Sequence, residues 1–317
     1  MTYSFPPEVA HEFAPCDRCG TEEGVELFTG PDRLHYLPGQ FRVVTCPTCG
    51  WIRQNPRPTA DAIGYYYPMD YANFIGAIED EPSRLRQWDR RYGILKRRRA
   101  VERFQPGGRV LDVGCATGLF LHEMQLGGWE VQGVEPTAEA AAYARERFGL
   151  PVAVGRLREA ALPAASFDAI TFWDVLEHLQ TPWADLQEAV RLLKPGGLLV
   201  VRIPNQESWE ARHFGPLWLG WDLPRHLYFF PRPALLAALE ELGLTLVDSR
   251  CVATSYAAFM LTLQFYLEER YGREAPWPQR IQRVGRWLPT RVTLAPLFWL
   301  LGKTKQASMI TYFARRR

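Results

Sequence analysis

A glycine-rich turn between a strand and a helix is the feature that most constrains the fold of this chain. Residues 110–120 read VLDVGCATGLF, in which an apolar run reaches Asp112 and is followed by Gly114 and Gly118. The run predicts a buried parallel strand, and the glycines mark a turn into a helix. Such a turn brings backbone N–H groups and a helix N-terminus against a bound ligand. We therefore predict an α/β protein with a ligand site at this turn.

A second short strand is predicted over residues 129–135, with Glu135 at its carboxyl end. In a doubly wound sheet an acidic residue there can bind both hydroxyls of a ribose. The glycine turn lacks the G-x-G-x-x-G spacing that a dinucleotide pyrophosphate needs, and the chain has no phosphate-loop motif. The pattern therefore favours a nucleoside ligand with little or no phosphate.

Two further motifs follow in order along the chain. Residues 166–178 read SFDAITFWDVLEH, and residues 193–205 read LKPGGLLVVRIPN. Over roughly residues 101–248 this set resembles the class I S-adenosylmethionine-dependent methyltransferases, in the branch with a D-V-L-E-H and L-K-P-G-G core. The resemblance implies a Rossmann-like doubly wound α/β sheet of seven strands. Residues 244–248 are expected as the sixth strand and residues 307–314 as the antiparallel last strand.

The resemblance also implies that S-adenosylmethionine contacts residues at the strand ends. The expected cofactor-binding residues are Asp112, Gly114, Cys115, Gly118, Glu135, Pro136, Leu157, Trp173 and Asp174. Relatives often carry an acidic residue after the glycine that ends the third strand, where this chain has Arg156. Recognition of the adenine amino group is therefore expected from the backbone or from Arg158 and Glu159.

Three side chains are candidates for catalysis, namely Asp174, His178 and His226. Trp173 and Asp174 end the fourth strand and would face the sulfonium. His178 is either a base, a helix cap or a brace for its loop. His226 follows the fifth strand in an aromatic loop, near Asp222 and Arg225, and is either the base that serves the acceptor or a structural residue.

Two motifs that the sequence lacks narrow the range of possible methyl acceptors. Trp-Asp-Val-Leu does not match the Asn/Asp-Pro-Pro-Tyr/Phe motif of enzymes that methylate adenine or glutamine amines. The Pro15-Cys16 dipeptide belongs to a cysteine pair described next and is not available as the nucleophile of a cytosine carbon-5 enzyme. The pattern favours methylation of an oxygen or a carbon in a small molecule.

Four of the six cysteines form two C-x-x-C pairs, Cys16 with Cys19 and Cys46 with Cys49. Two such pairs are typical of a zinc ribbon, whereas a thioredoxin-like redox motif needs one pair between a strand and a helix. Four thiolates leave no open position on zinc, so the predicted metal is structural. We expect a β-hairpin between the pairs, with strands near residues 27–28 and 41–44.

The predicted domains are a zinc ribbon over residues 1–58, a linker with N-terminal helices over 59–104, and the methyltransferase domain over 105–317. A helical insertion is expected at about 256–302. The prolines within 53–58 predict an exit from the ribbon. With no visible signal peptide and no apolar run long enough for a membrane span, we expect a cytoplasmic protein. The net charge of +2 indicates no particular partner.

Three segments have alternative interpretations. The arginine-rich helix near residues 83–104 is either a solvated face, which we favour, or a surface for nucleic acid or an anionic membrane. The tyrosines at 65–67 and Tyr71 either pack over the cofactor or form core. The apolar insertion is a lid, a dimer contact, a peripheral membrane contact or plain internal packing.

We therefore expect a methyltransferase acting on a sugar or glycan precursor, a secondary metabolite or a lipid-linked intermediate. One alternative is an RNA methyltransferase that grips phosphates with its ribbon and basic helix. Another is a protein that binds S-adenosylmethionine without turning it over. The expected partner is a small-molecule acceptor, with nucleic acid less favoured, and the oligomeric state is open.

Overall fold

The protein has an α/β fold built on one large sheet. A small N-terminal module carries the two C-x-x-C pairs, and we call it the cysteine module. The computed structural model describes residues 4–68, 78–81, 83–252, 256–285 and 287–317, so the predicted role of Tyr71 lies outside the described residues. The strands are β1 (His11–Glu12), β2 (Val25–Gly30), β3 (Phe41–Thr45), β4 (Ile52–Gln54), β5 (Arg57–Pro58), β6 (Arg109–Val113), β7 (Glu130–Glu135), β8 (Val152–Val154), β9 (Phe167–Trp173), β10 (Leu193–Pro204), β11 (Tyr228–Phe229), β12 (Leu244–Arg250) and β13 (Met309–Arg316). The helices are α1 (Arg84–Glu102), α2 (Leu119–Leu126), α3 (Ala138–Phe148), α4 (Pro182–Leu192), α5 (Trp209–Phe214), α6 (Arg232–Glu241), α7 (Tyr256–Tyr271), α8 (Pro276–Gly285) and α9 (Leu288–Lys303).

The main sheet has the predicted doubly wound topology. In the described chain its seven strands run in the order β12-β13-β10-β9-β6-β7-β8. Strands β6 to β10 pair in parallel, and β13 inserts antiparallel between β10 and β12. The chain order reverses between β6 and β9, and in such sheets ligands bind outside the carboxyl ends of the strands at this switch point. The predicted fold class is confirmed.

Helices cover both faces of this sheet, which is why its central strands are nearly continuous apolar runs. Neighbouring residues of β6 point to opposite faces, so Val110 and Leu111 belong to different apolar clusters. Val110 packs with Phe120 and Leu121 of α2, whereas Leu111 lies in the cluster that holds Leu186 of α4. The strands are thereby held rigidly, with their carboxyl ends at one edge.

The cysteine module is built into the rest of the protein. Its sheet, in the order β11-β4-β3-β2, takes β11 from the chain that follows the fifth parallel strand. Tyr228 pairs with Arg53 and Phe229 with Ile52. Residues 53–58 were predicted as an exit from the module, but all of them are buried. They are buried because β4 and β5 both pair with other strands.

The arginines of the basic helix α1 were expected to form a solvated face, but some of them make ion pairs within the protein. Arg98 pairs with Glu102 and with Glu123 of α2, and Arg97 reaches Asp174 at the sheet edge. Further along, α7, α8 and α9 form the predicted helical insertion between β12 and β13. Among the described residues, no helix combines the length and apolar character needed to cross a membrane.

Candidate active site and cysteine cluster

The turn after β6 is tied to the end of β7. Gly114 donates its backbone N–H to the carbonyl of Val134 at 2.8 Å, which continues the strand pairing into the turn. The Glu135 carboxylate accepts the Ala116 N–H at 2.8 Å and the Thr137 N–H at 2.9 Å. These bonds hold the acidic side chain at the carboxyl end of β7 beside the glycine turn.

Neither glycine of the turn can be replaced by a larger residue without strain inside the protein. Gly114 and Gly118 have φ values of +68° and +80°, which side chains rarely adopt. A Cβ at Gly114 would lie 2.7 Å from Val175, and one at Gly118 would lie 2.5 Å from Leu150. A side chain at either glycine would therefore collide with neighbouring side chains of the protein itself.

Asp112 lies beneath the turn and is buried. Its carboxylate accepts a hydrogen bond from the Thr171 hydroxyl at 2.6 Å. Burial raises the pKa of Asp112 to about 7, although the Thr171 bond and the charge of Arg97 oppose this shift. Asp112 is therefore a buried group that can gain or lose a proton near neutral pH.

The other predicted cofactor residues follow the same strand ends. Pro136 is exposed directly after β7, Cys115 is buried in the turn, and Leu157 is buried in a short helical turn after β8. The Gly155 N–H donates to the Glu135 carbonyl at 3.0 Å, so the loop after β8 adjoins β7. The geometry thus gathers the predicted residues at the ends of β6, β7, β8 and β9.

Asp174 directly follows β9 and has an unusual backbone conformation, with a φ of +61°. Its carboxylate accepts from Arg202 at 2.5 Å and from Arg97 at 3.5 Å. The Arg97 guanidinium also lies 5.2 Å from the ring centroid of Trp173, the preceding residue. Two guanidinium groups contact this carboxylate, so its contacts suit the placement of charge at the end of β9 better than proton abstraction.

The two candidate histidines are neighbours although 48 positions separate them in the sequence. Their ring centroids lie 4.6 Å apart in an edge-to-face arrangement of 79°. His226 Nδ1 lies 2.9 Å from the Gly220 carbonyl oxygen, and His178 Nδ1 lies 3.0 Å from that of Arg225. Because a carbonyl only accepts, each Nδ1 carries the hydrogen and each Nε2 keeps its lone pair.

Both histidines favour the neutral form. Burial, with a smaller contribution from the nearby His226, lowers the pKa of His178 to about 3. Burial also lowers the pKa of His226, against the opposing charge of Asp222. The Tyr67 hydroxyl lies 3.1 Å from His178 Nδ1, so this tyrosine of the predicted aromatic cluster adjoins a histidine. At neutral pH the pair therefore offers unprotonated nitrogens.

Glu177 is a residue that sequence reasoning missed, although it lies inside the Leu-Glu-His motif. Its side chain is buried, and neither carboxylate oxygen has a hydrogen-bond partner in the described structure. Burial and the charge of Asp174 raise its pKa well above the usual value. Glu177, His178 and His226 each place one potential metal-ligand atom within 4.8 Å of the others. The cluster can thus move a proton or hold a cation.

Arg225 braces the loop that carries His226. Its fully buried guanidinium pairs with Asp32 of the N-terminal module and with Asp222 of its own loop. It also donates to the Tyr66 carbonyl at 3.1 Å. The loop is therefore anchored to residues that lie far away in the sequence, a contact for which the sequence offers no local signal.

The four cysteines of the two C-x-x-C pairs converge. All four sulfur atoms lie within 4.8 Å of one another. Cys16 and Cys49 Sγ are 3.4 Å apart, and Cys19 and Cys46 Sγ are 3.5 Å apart, without disulfide bonds. In each pair the backbone turns back on itself, and this places both sulfurs on one side. Four converging thiols fit the donor set and geometry that zinc requires.

Comparison with known proteins agrees with this architecture. The family described as "Methyltransferase domain" matches residues 85–249. "Ubiquinone biosynthesis O-methyltransferase" of Xanthomonas oryzae pv. oryzae is 36% identical over 155 residues, which cover 45% of this chain and 64% of that protein. The namesake in Xanthomonas axonopodis pv. citri is 36% identical over 159 residues, covering 46% and 66%. The matches thus span less than two thirds of these relatives.

A solved structure from Thermotoga maritima, titled a SAM-dependent methyltransferase and possible histamine N-methyltransferase, is 20% identical. It aligns with a TM-score of 0.47 over 74% of this chain and 96% of its own. The family match covers half of the sequence and includes the glycine turn, Glu135 and the Leu-Glu-His motif. The chain therefore belongs to the methyltransferase domain family.

Proposed function

We propose that this chain transfers a methyl group from S-adenosylmethionine to an oxygen or carbon atom of a small-molecule acceptor. The cofactor would lie at the carboxyl ends of β6 to β9, with its ribose hydroxyls on Glu135. The acceptor would lie beside His178 and His226. The observation that carries this proposal is the histidine pair, whose rings are 4.6 Å apart and whose Nδ1 atoms are fixed by backbone carbonyls.

S-adenosylmethionine, when bound, supplies a methyl group on a good leaving group, so the protein contributes mainly proximity and orientation. The rigid strand ends and the Glu135 carboxylate serve that purpose. A hydroxyl or acidic carbon acceptor must also lose a proton. His226 Nε2 takes that proton, and the resulting imidazolium is stabilised by the nearby Asp222 carboxylate. His178 stays neutral beside it, which avoids two adjacent positive charges.

Oxygen is the atom favoured by the curated relatives, because they are named as O-methyltransferases. Their matches leave out more than half of this chain. We therefore propose a small-molecule class, namely a glycan precursor, a secondary metabolite or a lipid-linked intermediate, and carry over no single substrate.

We further propose that Cys16, Cys19, Cys46 and Cys49 hold one structural zinc ion in a ribbon over residues 1–58. Support comes from the four sulfur atoms, which lie within 4.8 Å of one another. A four-thiolate site keeps no open coordination position, so this ion would stabilise the module and take no part in methyl transfer. The boundary at residue 58 remains a prediction, as do those of the linker 59–104 and the domain 105–317.

The first test is methyl transfer from radiolabelled S-adenosylmethionine into an extract separated into RNA, lipid and small-molecule pools. We expect label in the small-molecule or lipid pool. Label that disappears on ribonuclease treatment would replace this proposal with an RNA methyltransferase. Cofactor binding without label in any pool would indicate a non-catalytic binding protein.

The second test uses the labelled pool to compare His226→Ala with His213→Ala, an exposed histidine on α5. His226→Ala should lower turnover by roughly 10²-fold or more while leaving the affinity for S-adenosylhomocysteine intact. His213→Ala should change neither quantity. Activity that is lost on chelation and restored by a divalent cation, with the zinc content unchanged, would assign the Glu177–His178–His226 cluster to a metal instead.

A further inference from the structure

An exposed aromatic and basic surface joins α1 to α9, on a part of the protein that the proposed chemistry does not use. We call it the α1–α9 face and define it by Trp88, Tyr92 and Lys96 on α1 and by Val292, Trp299 and Lys303 on α9. The residues on α1 are spaced i, i+4 and i+8, and those on α9 are spaced i, i+7 and i+11, so each set lies on one side of its helix.

The two helices present the same chemistry. Trp88 is 61% exposed and Trp299 is 64% exposed. The Lys96 ammonium lies 4.2 Å from the ring centroid of Tyr92, and the Lys303 ammonium lies 5.7 Å from that of Trp299. An ion pair between Asp89 and Arg291, 3.3 Å long, joins the two helices. Both helices thus carry large exposed rings with adjacent cations, and this ion pair links them.

A cavity of about 540 Å³ opens between the helices and the end of β12. Five cationic side chains line it, together with Trp299, Phe298 and the single acidic residue Asp248; the cations are Lys96, Arg103, Arg250, Lys303 and Lys305. Asp248 accepts from Arg250 at 2.5 Å and lies 3.9 Å from Lys305. The remaining positive charge makes this cavity a receptor for an anionic group.

The sequence of the segment that contains α9 is also strongly basic. From residue 275 to the last residue the chain contains no aspartate or glutamate, although the whole protein has 35. The same segment contains nine lysines and arginines and three tryptophans. Tryptophan and cations on one face of a helix are typical of helices that lie in the membrane interface, where the ring enters the lipid and the cation meets the headgroup.

The positive charges of the α1–α9 face distinguish between three molecules that could bind it: a second copy of the chain, nucleic acid and anionic lipid. A second copy of the chain would place Lys96, Lys303 and their neighbours against the same cations, and like charges across an interface are unfavourable. Nucleic acid would satisfy the cations but would leave Val292 and the face of Trp299 against a polar backbone. Anionic lipid satisfies both, because its phosphates meet the cations while its acyl region covers the apolar side chains.

We propose that the α1–α9 face docks this protein on an anionic lipid bilayer, with a lipid phosphate entering the cation-lined cavity. The 16-residue α9 then lies along the interface. This proposal goes beyond the proposed methyl transfer and does not depend on it. The docked orientation would bring the enzyme to acceptors that are dissolved in the membrane or tethered to it.

The test is co-sedimentation of the full chain with vesicles of phosphatidylcholine, with or without phosphatidylglycerol. We expect binding to the anionic vesicles, weakening as salt is added, and little binding to phosphatidylcholine alone. Trp299→Ser should weaken binding by roughly tenfold or more, and so should Lys96→Glu with Lys303→Glu. Inorganic phosphate at the concentration of the lipid headgroups should not displace the protein.

The matched controls change similar residues elsewhere. Phe13→Ser removes an apolar ring that is 65% exposed in the N-terminal module, and Arg147→Glu reverses an exposed charge on α3. Both should bind vesicles like the unmodified protein, and every variant should keep its affinity for S-adenosylhomocysteine as evidence of folding. Equal binding by Trp299→Ser and the unmodified protein would overturn the proposal. Binding to RNA without binding to vesicles would overturn it as well.

Discussion

Arg225 and Asp32 form a bidentate ion pair between the loop that carries His226 and the N-terminal module. Nη2 of Arg225 lies 2.7 Å from Asp32 Oδ1, and Nη1 lies 3.1 Å from Oδ2, with both side chains fully buried. Arg225 directly precedes His226, so the position of the proposed base depends on a residue near the start of the chain. The N-terminal module therefore anchors the loop that carries His226.

Asp32→Asn should lower the free energy of unfolding by about 1.5–3 kcal/mol, because the buried guanidinium loses one charged partner while Asp222 still pairs with it. The measurement is denaturant unfolding, with Asp61→Asn, an exposed residue nearby, as the control. The variant should also lose turnover more than cofactor affinity, since the His226 loop loses its anchor. A loss of stability below about 1 kcal/mol would contradict this account.

Cys49→Ser should abolish zinc binding, because a four-thiolate site loses most of its affinity when one ligand is replaced. Metal analysis of the purified protein should fall from about one zinc ion per chain to well below that. Its thermal unfolding should shift to lower temperature as well. Cys251→Ser, which changes a half-buried cysteine outside the cluster, should keep the zinc. Retention of zinc by Cys49→Ser would exclude the ribbon.

Glu135→Gln should weaken the binding of S-adenosylhomocysteine by about tenfold or more, since a hydrogen bond from a ribose hydroxyl to a charged carboxylate is stronger than one to an amide. Titration calorimetry gives the dissociation constant directly. Glu130→Gln is the control, because Glu130 starts the same strand and its side chain is 70% exposed. If both variants bind alike, the ribose does not lie on Glu135.

The pH profile of kcat/KM should reflect a base with a lowered pKa. Burial lowers the pKa of His226 from its usual 6.5, so its Nε2 stays unprotonated when the pH falls below that value. At saturating cofactor, activity should be flat from about pH 7 upward and should fall only as the pH drops through the lowered pKa. In His226→Ala this acidic limb should disappear. An activity that keeps rising above pH 8 would argue against a buried histidine base.

The sequence predicts the parts of this protein that depend on local patterns. The glycine turn and Glu135 at a strand end follow from apolar runs and from motifs with fixed order, whereas the antiparallel direction of β13 was expected from the family resemblance. The two C-x-x-C pairs likewise predict a cluster, because their spacing brings sulfurs together. These features need no knowledge of distant contacts.

Other parts depend on residues that meet only in the folded chain. Strand β11 has two residues, too few for a periodic signal, and its partner β4 lies far earlier in the sequence. Arg97 is one of many arginines in α1, and only the structure shows that it reaches Asp174. Asp174 was predicted as a catalytic residue at a strand end, and it does lie directly after β9. The sequence does not indicate that Arg97 and Arg202 both contact its carboxylate.

The pairing of β4 with β11 has a consequence for how the protein is made. Most of the large sheet is translated between the two strands, and at about 5 to 20 residues per second this takes roughly 10 to 35 s. During that time the emerging N-terminal module exposes the unpaired edge of β4, and open strand edges recruit other chains. A chain that ends before residue 228 would therefore keep this edge open, and the N-terminal module completes its sheet only after most of the large sheet has been made.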